Sequence, residues 1–333
     1  MKKKKSNNDI NFKHLRLALV GVWVLCLIWV WWPVMVMTGK EFLIKKNEMM
    51  YGWMVVPVAV GMAWSQREKL LLAAGRPAPG GLTIMAGAFV LHWLGRKNDF
   101  LPLSQLAMIL SVPAVAWVGW GREVARVLIF PTSFLLFIIP LHFFGINSES
   151  LCTISGIGAH GLMNVLGIPC NLEFSAEADA IRKSVCLVHP SGVFDFKVAG
   201  VCSGMRMVVV YVMFSAFLGY FLSLAKWRII LLMACSVPIM MSANILRITT
   251  LCALSIRFGQ EQMMGSFHDW PGIFYVGIAA CSILLWAGNM AEKKGGSASR
   301  ASATPPARQL DWPAGIHCLL LGIFLTILLA VFA

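Results

Sequence analysis

Apolar runs long enough to cross a bilayer recur along this chain, and they constrain its fold more than any other feature. A hydrocarbon core about 30 Å thick needs about 20 helical residues to span it. The first such run covers residues 17–37, behind Lys2, Lys3, Lys4 and Lys5. Its start imitates a secretory signal, but the run is too long and no small-residue cleavage site follows, so a retained helix is expected. Further runs lie at 49–65, 81–95, 101–120, 127–144, 203–224, 229–254, 271–290 and 314–332.

Composition agrees with this reading. The hydrophobic set makes up 58% of the 333 residues and charged residues only 13%, where a soluble domain is about a quarter charged. That excludes a soluble secreted protein, a disordered chain and a coiled coil. The expected fold is an all-α membrane protein, a polytopic helical bundle of about 8–9 transmembrane helices with one larger extracytoplasmic loop at about 145–200. Residues 1–16 read as a basic cytoplasmic N-terminus and 17–290 as the main transmembrane domain. Residues 291–313, rich in Gly, Ser, Ala and Pro, read as a flexible cytoplasmic linker, and 314–333 as a C-terminal transmembrane helix.

The 28 Lys and Arg outnumber the 15 Asp and Glu, giving a net charge of +13. These cations sit mostly in the breaks between apolar runs, where they set topology, so the expected partner is membrane lipid and not nucleic acid. With the N-terminus in the cytoplasm, 17 of the 28 fall on that side and nine outside, and Arg206 and Arg247 lie within spans. The excess on the inner side supports this orientation in a cytoplasmic (inner) membrane. The nine cysteines are scattered, and no CxxC or HExxH occurs, so neither a disulfide framework nor a zinc site is expected and no cofactor is implied.

The longest external segment, 170–200, follows an amphipathic stretch from Ser150 to Leu166 and carries Glu173, Glu177, Asp179, Arg182, Lys183 and Asp195. Within it, Val193 to Val198 alternates like a short strand. Cys170 and Cys186 are either an extracytoplasmic disulfide or two separate thiols; the sequence leaves both open.

Ionisable side chains inside or at the ends of spans are costly and mark candidate sites. Cys202 and Arg206 stand in Val201-Cys202-Ser203-Gly204-Met205-Arg206, where the external segment enters a span. Arg247, in Asn244-Ile245-Leu246-Arg247, follows Arg228 by 19 residues, a helical rise of about 28 Å that carries it to the external face. His268, in His268-Asp269-Trp270-Pro271-Gly272, precedes the next span. All three reach one membrane surface. A thiol at a helix N-terminus, with Arg206 one turn on, has its thiolate favoured by the dipole and by the cation. His268 suits the base that takes the thiol proton and returns it to a leaving amine. Arg247 suits an oxyanion or a substrate carbonyl or carboxylate. Asn244, on the same helix face, would orient Arg247 or donate to substrate, and Asp269 would orient His268. A buried Cys is more often inert packing, and Cys26, Cys235, Cys252, Cys281 and Cys318 keep that reading.

At these three stretches the sequence resembles the exosortase/archaeosortase family of multi-pass membrane transpeptidases. The family's Cys-Ser-Gly-aliphatic-Arg motif matches Cys202, Ser203, Gly204, Met205 and Arg206. Its Asn-x-x-Arg motif matches Asn244 and Arg247, and its late His with a Gly four residues on matches His268 and Gly272. The stretch Tyr51-Gly52-Trp53-Met54-Val55-Val56-Pro57 is similar to an early family element, which adds Tyr51 to the candidates. Phe130-Pro131 with Phe137-Ile138-Ile139-Pro140, and Gly167-Ile168-Pro169, resemble others, and the likeness covers roughly residues 50–290.

The resemblance implies a catalytic Cys202, Arg247 and His268, with Arg206, Asn244, Ser203, Gly204, Asp269 and Tyr51 in supporting or substrate-binding roles. It implies a cysteine-type peptidase/transpeptidase for exported proteins with a C-terminal sorting signal: a short motif, a transmembrane helix and a basic cluster. Cleavage would occur just outside the membrane, with a lipid or glycan as a possible acceptor. In bacteria such proteins often accompany exopolysaccharide production. The sequence departs from the family at Gly200 and Val201, where many members have an acidic residue and Ala, and at Leu172 to Ser175, where a Glu-Gly-Asn-like turn is usual; both bear on substrate choice. Two other classes compete: a transporter or channel for an anionic substrate, and a non-catalytic scaffold for envelope assembly. Clustering of the candidates at one surface, and the lack of an inverted repeat, disfavour transport.

Overall fold

The computed structural model describes residue 21 and residues 25–44, 49–75, 78–144, 148–176, 183–192, 194–198, 205–264 and 269–295. The chain divides into two compact units, residues 1–145 and 146–333.

The first unit is helical. It comprises α1 (Leu25–Ile44), α2 (Gly52–Ser65), α3 (Arg67–Ala73), α4 (Gly80–Lys97), α5 (Leu101–Trp120) and α6 (Arg122–Phe134), followed by short 3₁₀ turns at Leu135–Ile138 and Leu141–Phe144. Pro102 stands in the first turn of α5, where its missing N–H costs nothing. Gly121 ends the helix at φ 98°, a left-handed backbone that side chains avoid. α4 and α5 pack at close range because their contact carries almost no side chain. A Cβ on Gly81 would lie 2.4 Å from the Ala114 carbonyl oxygen, so the helices meet as small-residue faces do in membranes. Trp31 and Val34 of α1 pack with Met85, Ala88, Ala107 and Ala114 in a common core. In the same region Gln105 donates to the Thr38 hydroxyl at 3.0 Å, and that hydroxyl donates to the Val34 carbonyl at 2.8 Å.

The second unit begins with α7 (Ser148–Val165), continues through strands β1 (Asn171–Ala176), β2 (Lys183–Val188) and β3 (Asp195–Val198), and ends in α8 (Met205–Phe221), α9 (Lys226–Phe258), α10 (Gln260–Met264) and α11 (Asp269–Gly295). The strands form one antiparallel sheet in the order β1-β2-β3. Val185, Leu187, Phe196 and Val198 turn one face of this sheet into a core with Cys152, Ala159 and Met163 of α7 and with Ile248, Leu251 and Cys252 of α9. α7 reaches both partners through glycines. A Cβ on Gly156 would strike Val185 at 2.5 Å, and one on Gly158 would strike Ile245 at 2.4 Å. The Tyr211 hydroxyl of α8 donates to the Val276 carbonyl of α11, and Arg228 at the start of α9 donates to the Met290 carbonyl near the end of α11.

Among the described residues, four helices are long and apolar enough to cross a membrane: α1, α5, α9 and residues 270–291 of α11. Gly52–Ser65 and Met205–Phe221 are apolar but shorter. Three sequence expectations need correction in their bounds. The run at 127–144 is not one helix: α6 starts at Arg122 and gives way to 3₁₀ turns after Phe134, with Pro140 between them, since proline cannot continue a helical hydrogen-bond ladder. α11 runs to Gly295 and so takes the first residues assigned to the 291–313 linker. The segment expected to be external holds three strands, where alternation had indicated only the last. The final helix expected at 314–333 lies outside the described residues.

The sheet register also answers the question of Cys170 and Cys186. Cys186 faces Glu173, three residues along the strand from Cys170, a separation of about 10 Å. A disulfide needs Cα atoms within about 7 Å, so Cys170 and Cys186 are not bonded to each other.

Candidate active site

α9 supplies the centre of the site. Asn244 and Arg247 stand three residues apart and so share a helix face, and that face is turned inward: Asn244 is 3% exposed and Arg247 6%. A buried carboxamide and a buried guanidinium each need partners to offset lost hydration. The Asn244 Nδ2 donates to the Ser155 hydroxyl of α7 at 2.9 Å. Ser155 is itself fully buried, so this bond is shielded from water and fixes the carboxamide one turn below the guanidinium.

The guanidinium rests on backbone. A Cβ placed on Gly272 would lie 3.1 Å from the Arg247 Nε and 3.3 Å from its Cζ. An added Cβ would therefore require the guanidinium to shift by a few tenths of an ångström away from α11. Arg206, in the first turn of α8 and half-buried, is near enough for its charge to repel that of Arg247. Helices α8, α9 and α11 thus converge on a region of concentrated positive charge, suited to an anionic or oxyanionic group.

Beside this region lies a cavity of about 500 Å³ between α9, α10 and α11. Thr250, one turn beyond Arg247, pairs its hydroxyl with that of Tyr275 at 2.8 Å on the cavity wall. Gly259, at φ 84°, allows the chain to turn from α9 into α10. There the Gln260 carboxamide clasps strand β3: its Oε1 accepts from the Asp195 N–H at 2.9 Å and its Nε2 donates to the Asp195 carbonyl at 2.7 Å.

The expected site residues thus divide into four groups. Arg206, Asn244 and Arg247 are brought together in the second unit. Tyr51 belongs to the first unit, where it is 2% exposed and its hydroxyl contacts the Met49 sulfur at 3.6 Å. Asp269 opens α11, while Cys202, Ser203, Gly204 and His268 lie outside the described residues. In sequence, Cys202 stands three residues before Met205, the first residue of α8, and His268 immediately precedes α11. Ser155 and Gly272's contact with Arg247 were not anticipated. The buried stripe Cys152, Ser155, Ala159 and Met163 has helical spacing, and the hydroxyl within it was the available signal.

The family model described as transmembrane exosortase (Exosortase_EpsH) matches residues 42–287. The chain belongs to the transmembrane exosortase family. The match takes in both units, and it includes Arg206, Asn244, Arg247 and Gly272 together with the segments that carry Cys202 and His268. No curated protein and no solved structure matches the chain. As an exosortase-family protein with long apolar helices, it is a multi-pass membrane protein connected with protein sorting.

One thiol is set apart from this chemistry. Burial pushes the Cys170 thiol above its ordinary pKa, offset in part by a hydrogen bond to the Val188 backbone. A group held as neutral thiol is a poor nucleophile, which leaves Cys170 to the sheet core.

Proposed function

We propose that the chain is a membrane cysteine transpeptidase that cuts C-terminal sorting signals from exported proteins. Cys202 is the nucleophile, His268 the base and Arg247 the oxyanion-stabilising group. The observation that carries this reading is the buried Arg247, which rests on the Gly272 backbone one turn along α9 from the Asn244–Ser155 pair. A guanidinium preorganised in this way needs little rearrangement as negative charge develops on a reacting carbonyl.

The steps are those of a thiol nucleophile served by an imidazole base. His268 takes the Cys202 proton, and the thiolate attacks the scissile carbonyl carbon, forming a C–S bond and a tetrahedral oxyanion that Arg247 stabilises. The intermediate collapses as the C–N bond breaks, His268 passes its proton to the leaving amine, and a thioester is left on Cys202. Water, a lipid or a glycan then attacks the thioester and releases the thiol. Arg206 adds positive charge beside the reacting centre, and Asn244 holds the register of Arg247. Ser203 and Gly204 follow the nucleophile in sequence and support it, Asp269 orients His268, and Tyr51 serves in support. The basic bias of the loops supports a cytoplasmic N-terminus and a site on the extracytoplasmic face of the inner membrane.

The experiment is peptide mapping and intact-mass analysis of envelope proteins from wild-type cells and from cells carrying Cys202→Ala. The mutant is expected to accumulate proteins that keep a C-terminal apolar helix and basic cluster. Identical profiles, with the mutant protein present in the membrane, refute the assignment.

A further inference from the structure

The cavity beside Arg247 is built from side chains with no role in the reaction above. Its walls include Leu254 and Phe258 from α9, Met263 from α10, and Trp270 and Phe274 from α11. The two hydroxyls on its lining, Thr250 and Tyr275, are paired with each other. A polar group entering would lose hydration against an almost wholly apolar wall, so the occupant must be apolar.

Its position narrows the choice further. Pro271 on the cavity wall directly precedes Gly272, on which the Arg247 guanidinium rests. Thr250 is about one helical turn, roughly 5 Å, past Arg247. An occupant therefore sits within one turn of the group that would bind the scissile carbonyl. A peptide residue carries its side chain one carbon away from its carbonyl and can meet both demands at once. The third wall is held in place as well: Gln260 ties α10 to β3 through both backbone groups of Asp195, and Met263 on the same short helix is 3% exposed.

We infer that this cavity is the specificity pocket for one apolar side chain of the substrate polypeptide, at a residue flanking the bond that is cut. The inference rests on the transpeptidase reading. Leu254 is one of the side chains that line the pocket.

The test uses the full-length protein in proteoliposomes and the protein that loses its C-terminal tail in wild-type cells and keeps it in Cys202→Ala cells. Leu254→Trp narrows the pocket and is expected to raise KM for that substrate about tenfold or more, the scale on which a pocket discriminates a methylene or two. Trimming the flanking apolar residue of the substrate to Ala should remove most of the difference between Leu254→Trp and wild type. Leu254→Ala, which enlarges the pocket and covers the case in which Trp prevents folding, should improve a substrate with a bulkier residue there. Equal losses on native and trimmed substrates overturn the proposal. So does a Leu254→Trp protein that cuts normally but no longer transfers its product to lipid, because the cavity would then hold an acyl chain. Cleavage that survives Cys202→Ala defeats the transpeptidase reading itself and is read before any pocket variant.

Discussion

Replacing Gly272 with alanine separates the stability of this protein from its chemistry. The new Cβ would sit 3.1 Å from the Arg247 Nε and 3.3 Å from its Cζ, where unstrained carbon contacts begin at about 3.5 Å. Relief requires the guanidinium to move by about 0.4 Å, away from α11. A 1 Å misplacement of a catalytic group costs about a hundredfold in rate, or roughly 2.7 kcal/mol. Scaled to this displacement, the loss is roughly 1 kcal/mol, about fivefold in kcat. Stability moves the other way or not at all, because alanine is favoured over glycine in a helix by up to about 1 kcal/mol. The assay is single-turnover cleavage in proteoliposomes, with thermal unfolding measured on the same preparation. A drop in kcat at unchanged or raised Tm is the expected result. Full activity would mean that the position of Arg247 against α11 is irrelevant to the reaction, and lost accumulation in the membrane would mean that Gly272 serves only packing.

Other outcomes follow from the same geometry. Ser155→Ala leaves the buried Asn244 carboxamide without its α7 partner; stability should fall by about 1–3 kcal/mol, read by thermal unfolding, and Ser155→Thr should recover part of it. Arg247→Lys keeps the charge but loses the planar fork, and a severe loss of processing at normal protein level is expected in the envelope mapping. With a His–Cys pair, cleavage should decline as pH falls and the thiolate is protonated; a rate that stays flat from about pH 5 to 9, with chemistry limiting, would exclude His268 as the base. Cys170 is a buried thiol with a raised pKa, so the folded state favours its neutral form. Its contribution to stability is complete below the ordinary thiol range and is lost as pH rises through the raised value; alkylation mapped by mass spectrometry should show Cys170 reacting only at high pH or on unfolding.

The sequence carried the membrane class and most helices because long apolar runs admit few alternatives. α5 and the apolar part of α9 are legible residue by residue in that way. It did not carry the break after Phe134, where Pro140 lies inside a run whose hydropathy alone looks continuous. Strands β1 and β2 were hidden by charged residues from Glu173 to Lys183 that read as a loop, and only the alternation in β3 stood out. At the site, Asn244 and Arg247 were found because three-residue spacing on a helix is a local property. Ser155, 89 residues from Asn244, is joined to it only by tertiary packing. The Gly272 pattern was visible without its reason, since no sequence shows that a guanidinium will lie across that backbone.

α9 is a measuring rod. Its 33 residues, from Lys226 to Phe258, extend about 50 Å, against about 30 Å of hydrocarbon. Anchored near one end by the Arg228 contact with Met290, the helix reaches Arg247 after about 28 Å and continues for about 16 Å more. On the transpeptidase reading, a reaction centred on Arg247 would take place at a fixed height, close to where hydrocarbon gives way to headgroups. A substrate threaded through the same membrane would be cut at a set number of residues from its own helix, so lengthening the spacer between that helix and the cleaved bond should move the bond out of reach even when the recognised motif is unchanged.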